Sequence, residues 1–173
     1  ERGHLPLACV EFGAGNACLS HALAQDAAAR GWPLASLVLV DAIVPRKKAD
    51  PHLGLVATRL RTDIADLVLS GVDALAWGRG AAVCRVAVAK HLCGEGTDLA
   101  LRSIAAAPRH FDCVCIATCC HHRCEWGTFV NTDALQAWGV DRAHFATVCA
   151  MTHWAVETRE GRGARNLVAG AGG

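Results

Sequence analysis

The chain has 173 residues, with 17 Lys+Arg against 16 Asp+Glu and a formal net charge of +1. That length suits one domain, whose usual size is about 100–200 residues. At 53% hydrophobic and 19% charged, the composition excludes a disordered chain, and the near-neutral charge argues against a generic electrostatic nucleic-acid binder.

Short apolar stretches alternate with longer Ala/Leu-rich stretches, the signature of an α/β chain. Residues 5–12 read as a first strand closing on Gly13-Ala14-Gly15. A helix follows over residues 17–30, with Leu19 and Leu23 one turn apart and Gly31 at its C-terminal cap. Residues 37–40 form a second, wholly apolar strand ending at Asp41, as expected where helices cover both sheet faces. The basic, Pro-punctuated stretch 43–53 reads as a loop with room for a helical turn. A third strand spans 56–61 and ends near Thr62-Asp63, before a short helix over 64–69 and a connection over 71–80. Residues 83–89 are a fourth strand closing on Lys90-His91. Thr97 then caps a helix through residue 107, with Asp98 in its first turn. A fifth strand, 111–118, runs into Cys119-Cys120-His121-His122-Arg123-Cys124. Helices over 132–138 and 142–156 precede a Gly/Arg-rich tail. The expected architecture is an α/β domain over residues 1–157 with five parallel strands, followed by a tail over 158–173.

No apolar run reaches the ~18–20 residues of a membrane-spanning helix. The sequence begins at Glu1 with neither a starting Met nor a signal-peptide pattern, so it reads as a domain cut from something longer. Ten cysteines in a chain with this much aliphatic core need not be disulfide staples. Cys9, Cys84, Cys113 and Cys115 lie inside apolar runs, where a reduced thiol behaves as a small hydrophobe. The expected setting is intracellular and reducing, cytoplasm or nucleus.

The segment Val10-Glu11-Phe12-Gly13-Ala14-Gly15-Asn16 places an acid and two glycines where a strand turns into a helix. Glycine there permits a tight turn and close approach of a ligand, and the helix N-terminus offers free N–H groups. Two ligand classes compete. A dinucleotide site prefers Gly-x-Gly-x-x-Gly, but Cys18 holds the third position and Glu11 would set negative charge beside the phosphates. S-adenosylmethionine carries a sulfonium and an ammonium and no phosphate, so an acid beside the turn suits it. Asp41, ending the second strand, is placed to grip ribose hydroxyls, and Asp63 to meet the adenine amino group. A plain packing turn with a helix-end acid is the alternative.

Lys90-His91-Leu92-Cys93-Gly94 and Cys119-Cys120-His121-His122-Arg123-Cys124 fall at the carboxyl ends of strands four and five, the edge where ligands collect in open α/β sheets. Thiolate and imidazole are zinc ligands, yet there is no paired C-x-x-C, and adjacent Cys-Cys or His-His side chains do not readily converge on one ion. The expectation is therefore no metal, with Cys93, Cys119, Cys120 and Cys124 as the alternative set; local packing is a third reading. Methyl transfer to a hydroxyl needs a proton acceptor. Lys90 is the first candidate base, with His91, His121 and His122 behind it.

These two segments, with Thr97-Asp98-Leu99-Ala100, Trp126 and Val130, resemble the eukaryotic tRNA methyltransferase family that 2′-O-methylates the fourth nucleotide, in the acceptor stem. The turn Glu11-Phe12-Gly13-Ala14-Gly15 with Leu19-Ser20 is similar to that family's first motif, and residues 151–155 to a later Trp-Ala segment, with His153 where Ser is expected. The resemblance runs over about residues 5–156. It implies a Rossmann-like class I methyltransferase fold, S-adenosylmethionine as donor, and a tRNA ribose 2′-hydroxyl as acceptor. By position, Glu11, Gly13, Gly15 and Asn16 would line the donor site with Lys90 nearby, Asp41 would hold the ribose and Asp63 the adenine. The family's members resemble a zinc-finger, metal-binding region followed by this domain, and the chain shows no such fingers. Ala17 replaces an expected glycine, and the tail stands where the family's last strands would continue, leaving the fifth strand as an exposed edge.

Basic residues cluster at Arg46-Lys47-Lys48, at Arg59 and Arg61, and at Arg159, Arg162 and Arg165; phosphate contact and a solvated surface compete as readings. The oligomeric state is left open. Besides the tRNA methyltransferase, a non-catalytic zinc- or RNA-binding module of the same fold and an NAD-dependent oxidoreductase remain as alternatives.

Overall fold

The computed structural model describes residues 4–43, 45–46, 49–70, 82–107 and 111–154, without the side chains of Leu55, His153 and Trp154. The expected connection over 71–80, Lys47, Lys48, residues 155 and 156, and the tail over 158–173 with Arg159, Arg162 and Arg165 lie outside the described residues.

The strands are β1 (Leu7–Phe12), β2 (Leu34–Asp41), β3 (Ala57–Arg61), β4 (Cys84–Cys93) and β5 (Cys113–Cys119), and the helices α1 (Cys18–Ala29), α2 (Gly96–Ala105), α3 (Thr132–Ala137) and α4 (Arg142–Trp154). All strand pairs are parallel, in the order β3-β2-β1-β4-β5. This is the α/β, Rossmann-like arrangement expected. β1 is buried along its whole length, which explains why all its residues but Glu11 are apolar: a central parallel strand shows neither face to water.

Alternation along β1 separates two cores. Ala8, Val10 and Phe12 face one side with Val38, Val40, Ala87, Ala89 and Ala100 of α2. Leu7 and Cys9 face the other with Leu37, Leu39, Ala17 and Ala27 of α1. Helices thus cover opposite faces, as right-handed crossovers require once the strand order reverses. α1 closes on a Schellman cap: Gly31, at φ +66°, donates its N–H to Ala28 and Trp32 donates to Ala27.

Several boundaries differ from expectation. β2 begins at Leu34 rather than residue 37, because Leu7 pairs with Leu34 across the start of β1. Of the helix expected over 64–69, Ile64–Asp66 form a 3₁₀ turn and α-helical backbone begins only at Leu69. Thr97 does not cap α2, whose cap is Glu95; the Thr97 hydroxyl instead donates to the Leu92 carbonyl at 2.9 Å. β4 runs four residues beyond its expected end, carrying Lys90 and His91 inside the strand.

β5 forms the sheet edge among the described residues, with Cys113, Val114 and Cys115 exposed. Its far end is anchored instead by the turn that follows. Trp126 and Phe129 each meet Phe145 of α4 edge-on, at 5.5 and 5.1 Å between ring centres. The buried Asp98 carboxylate of α2 accepts the Val130 N–H at 2.9 Å.

Gly94 fastens the end of β4 to this turn. Its φ is +59°, and a Cβ there would fall 2.6 Å from the Arg123 carbonyl oxygen, a backbone atom that cannot swing aside. Left-handed strain and the clash add, so Gly94→Ala is expected to cost about 2–3 kcal/mol, or roughly 5–10 °C of melting temperature. A thermal melt checks it; an unchanged midpoint would mean that the two segments are not held in contact.

Candidate active site

The chain runs outward from β1 through β2 to β3, then returns to place β4 on β1's other flank. The connections after β1 and β4 therefore diverge and leave a crevice at the carboxyl ends of these two strands, the usual ligand position in open α/β sheets. A cavity of about 490 Å³ lies there, lined by Glu11, Gly13, Gly15 and Asn16 on one side and by Lys90 and His91 on the other. Its volume is that of a small-molecule site.

Each wall has a local cause. The Gly13–Gly15 turn is clamped onto the end of β2, since Ala14 donates its N–H to the Val40 carbonyl at 2.9 Å. Asp41 completes the clamp, accepting the Gly15 N–H at 2.7 Å and the Ile43 N–H at 2.8 Å. Gly13 sits at φ +65°, where a Cβ would meet Leu92 Cδ1 at 2.7 Å. Ala17, the cap of α1, is left-handed as well (φ +59°) and offers no side-chain oxygen to the helix. Glu11 supplies the missing acceptor. Its Oε2 takes the N–H of Ser20 at 3.1 Å and the Ser20 hydroxyl besides, so a buried carboxylate caps α1 from the neighbouring strand.

The opposite wall depends on a β-bulge. Lys90 pairs with Ala117 and Leu92 with Thr118, leaving His91 as the extra residue at φ +59°. Without the bulge His91 would point into the α2-side core with Ala87 and Ala89; with it, Leu92 takes that place and His91 turns to the cavity. Bulges re-aim side chains in this way beside active sites. Lys90 is exposed, and no carboxylate pairs with it among the described residues.

Other sequence candidates lie elsewhere. Asp41 stands behind the glycine turn and does not line the cavity. Asp63 is exposed and caps its 3₁₀ turn by accepting the Ala65 N–H at 2.9 Å. His121 lines a second cavity of about 220 Å³ with Asp98, Thr97 and Cys124. His122 follows it on the same exposed 3₁₀ turn. The thiols of Cys93, Cys119 and Cys120 converge within 4.8 Å of one another, despite the adjacency of the last two. Burial and hydrogen bonds from its neighbours push the Cys119 thiol up to about 12, whereas thiol donors from Cys119 and Cys120 and the Arg123 charge lower that of Cys93. Cys124 is turned toward the Gly94 carbonyl instead. Arg59 is not available for phosphate: its guanidinium is doubly bonded to Asp50 at 2.6 and 2.7 Å. Sequence reasoning missed the bulge at His91 and the Glu11–Ser20 pair; a serine buried in the first turn of an uncapped helix was the only signal of the second.

Two expectations follow for the turn. Ala17→Gly relieves about 1–2 kcal/mol of left-handed strain and loses one buried methyl worth about 0.8 kcal/mol. The variant should melt no lower than the parent and up to about 3 °C higher; a clear drop would show that the methyl's packing outweighs the strain. For Glu11, burial pushes the carboxyl above its ordinary 4.5 against the pull of Ser20 and Arg59. The folded chain then holds a proton that the unfolded chain has released, so stability declines as pH rises from about 4.5 to the folded value and is level above it. Glu11→Gln, which keeps an acceptor for Ser20, should abolish that decline in melts across this range; an identical slope in the variant would place its origin elsewhere.

The family model described as Methyltransferase TRM13 matches residues 4–168. The chain is 34% identical over 189 residues to the "tRNA:m(4)X modification enzyme TRM13" of Eremothecium gossypii, a match covering 89% of this chain and 41% of that protein. It is 30% identical over 190 residues to the mouse homologue, covering 84% and 38%. Against the Schizosaccharomyces pombe enzyme of the same name it is 36% identical over 103 residues, covering 58% and 27%. No solved structure matches. The chain thus spans about two fifths of the first two relatives, and by the family model and these identities it belongs to the TRM13 methyltransferase family.

Proposed function

We propose that this chain is the catalytic domain of an S-adenosylmethionine-dependent tRNA methyltransferase, acting on a ribose 2′-hydroxyl of the acceptor stem. The observation that carries the proposal is the cavity bringing the Gly13–Gly15 turn against Lys90 and His91. Family membership and the names of the relatives, all tRNA modification enzymes, support the reaction and the substrate class. The 2′-hydroxyl and the acceptor stem rest on the Cys/His segments' resemblance to that family.

The residues present suit a cationic, phosphate-free donor. The acid lining the cavity beside the turn is Glu11, and Cys18 rather than glycine begins α1, a poor match to a pyrophosphate cradle. When bound, the donor supplies an electrophilic methyl group. The chain's own residues bind and orient around it: Gly13, Gly15 and Asn16 form the floor, Asp41 holds the turn and keeps lone pairs for ribose hydroxyls, and Asp63 lies at the end of the neighbouring strand for the adenine. Lys90, acting as the neutral amine, takes the hydroxyl proton as the oxygen attacks and becomes the ammonium, with His91 beside it on the bulge. His121 and His122 belong to the acceptor side, near the second cavity. Of the basic clusters read from the sequence, exposed Arg46 and Arg61 are the described residues left for phosphate, so intrinsic tRNA affinity should be weak and steeply salt-dependent. Ten free cysteines fit a reducing compartment, cytoplasm or nucleus.

Calorimetric titration with S-adenosylmethionine and S-adenosylhomocysteine, with NADH as control, tests the donor. Binding of the first two and not the third is the expected result; the reverse would replace the reading with an oxidoreductase. In a methyl-transfer assay on tRNA, Lys90→Ala should lower kcat by about 10²–10⁴-fold, the range for loss of a general base, while donor affinity moves only a few-fold. Full turnover in Lys90→Ala with impaired turnover in His91→Ala would move the base to the histidine.

A further inference from the structure

The carboxyl ends of β4 and β5 hold a feature that the donor cavity does not use. Cys93 and Cys119 are register partners across the two strands, with their sulfurs 3.2 Å apart. Cys120 joins them, so that three half-buried thiols lie within 4.8 Å of one another, the one such group among the described residues. We propose that Cys93, Cys119 and Cys120 bind a zinc ion, with its fourth coordination position open to solvent.

The backbone explains how adjacent cysteines come to share a point. In a continuing strand Cys119 and Cys120 would face opposite sides of the sheet. Cys120 instead adopts φ +51°, ψ +44°, which ends the alternation and folds its side chain back over the strand end. A left-handed cysteine is uncommon, since a residue with a Cβ is strained there. The strain here has a geometric product, a third thiol beside the other two.

Spacing and ligand chemistry choose the ion. Zinc–sulfur bonds of about 2.3 Å place tetrahedral thiolates about 3.8 Å apart, between the 3.2 Å of the Cys93–Cys119 pair and the 4.8 Å limit of the group. Small rotations of the side chains suffice. Sulfur donors without a carboxylate exclude magnesium and calcium, and a tetrahedral sulfur site is characteristic of zinc. No histidine nitrogen belongs to the group, so solvent or an incoming ligand takes the remaining position. Bound there, the ion ties edge strand β5 to β4 two residues beyond the His91 bulge. It acts as a clamp on the wall carrying Lys90 and His91, and its presence does not depend on which substrate the domain uses.

The test uses the whole 173-residue chain, purified under reducing conditions without a metal-affinity column. Elemental analysis should find about one zinc per chain, lost in Cys93→Ser and in Cys120→Ser and retained in Cys115→Ser, whose thiol lies exposed on β5. Because a serine variant can fail to fold, the unsubstituted chain is also stripped with a chelator and titrated with Co²⁺. Thiolate-to-cobalt charge-transfer bands with tetrahedral d–d bands, displaced by zinc, are expected, together with a lower melting temperature for the stripped protein. Absence of metal combined with no cobalt–thiolate spectrum would overturn the proposal. So would copper in place of zinc, or zinc retained in full by both folded serine variants.

Discussion

The parallel pairing of β1 with β4, Leu7–Phe12 against residues 84–89 in unbroken register, is the constraint on which the site depends. It sets the glycine turn that leaves β1 opposite Lys90 and His91. Neither wall is a binding surface alone. A one-residue slip would exchange Glu11 with its buried neighbours and carry the acid to the α2 side. The two cores make that slip costly, because β1 contributes fully buried side chains to both faces. Hydrophobic packing in the middle of the sheet thus fixes the position of polar groups at its end.

Glu11 shows how scaffold and site share one residue. An isolated buried carboxylate is expensive, and here the Ser20 N–H and hydroxyl compensate it. The same bonds give α1 a cap that Ala17 cannot provide. α1 in turn sets its N-terminus against the Gly13–Gly15 turn, which Asp41 holds from β2. Loss of Glu11 would therefore disturb the turn before it removed any contact with a ligand. A drop in donor binding in Glu11→Ala alone would not distinguish the two roles, which is why the isosteric amide is the informative change.

Much of this was legible in the sequence. Five apolar stretches and their alternation with helices gave the sheet, and the glycine turn and Lys90-His91 were placed at strand ends by pattern alone. What escaped depends on non-local pairing or on single backbone angles. The bulge at His91 arises from the register of β4 against β5, and no local signal marks a histidine for a left-handed conformation. The same holds at Cys120, where strand alternation argued against convergence of adjacent thiols and a φ of +51° reverses it. Arg59 reads as a surface cation until the fold brings Asp50 beside it. The helix read over 64–69 is a 3₁₀ turn at Ile64–Asp66 and an extended step before α-helical backbone begins at Leu69, because Leu67 and Leu69 continue one apolar pattern across that break as they pack into the α2-side core.

Of the six left-handed residues described on this edge, His91, Gly94 and Cys120 lie within the two Cys/His segments, and Gly13, Gly15 and Ala17 lie in the opposing turn. Sparsely populated backbone states persist only where their surroundings over-determine them. At Gly94 the determinant is contact with the Arg123 carbonyl; at His91 it is the demand that Leu92 fill the core. Cys120 caps the 3₁₀ turn that follows, its carbonyl accepting the Arg123 N–H at 2.9 Å while its thiol lies beside those of Cys93 and Cys119. An ion shared with Cys93 and Cys119 would add a second determinant to that backbone bond, holding the strained residue and the strand edge in place with the same three bonds.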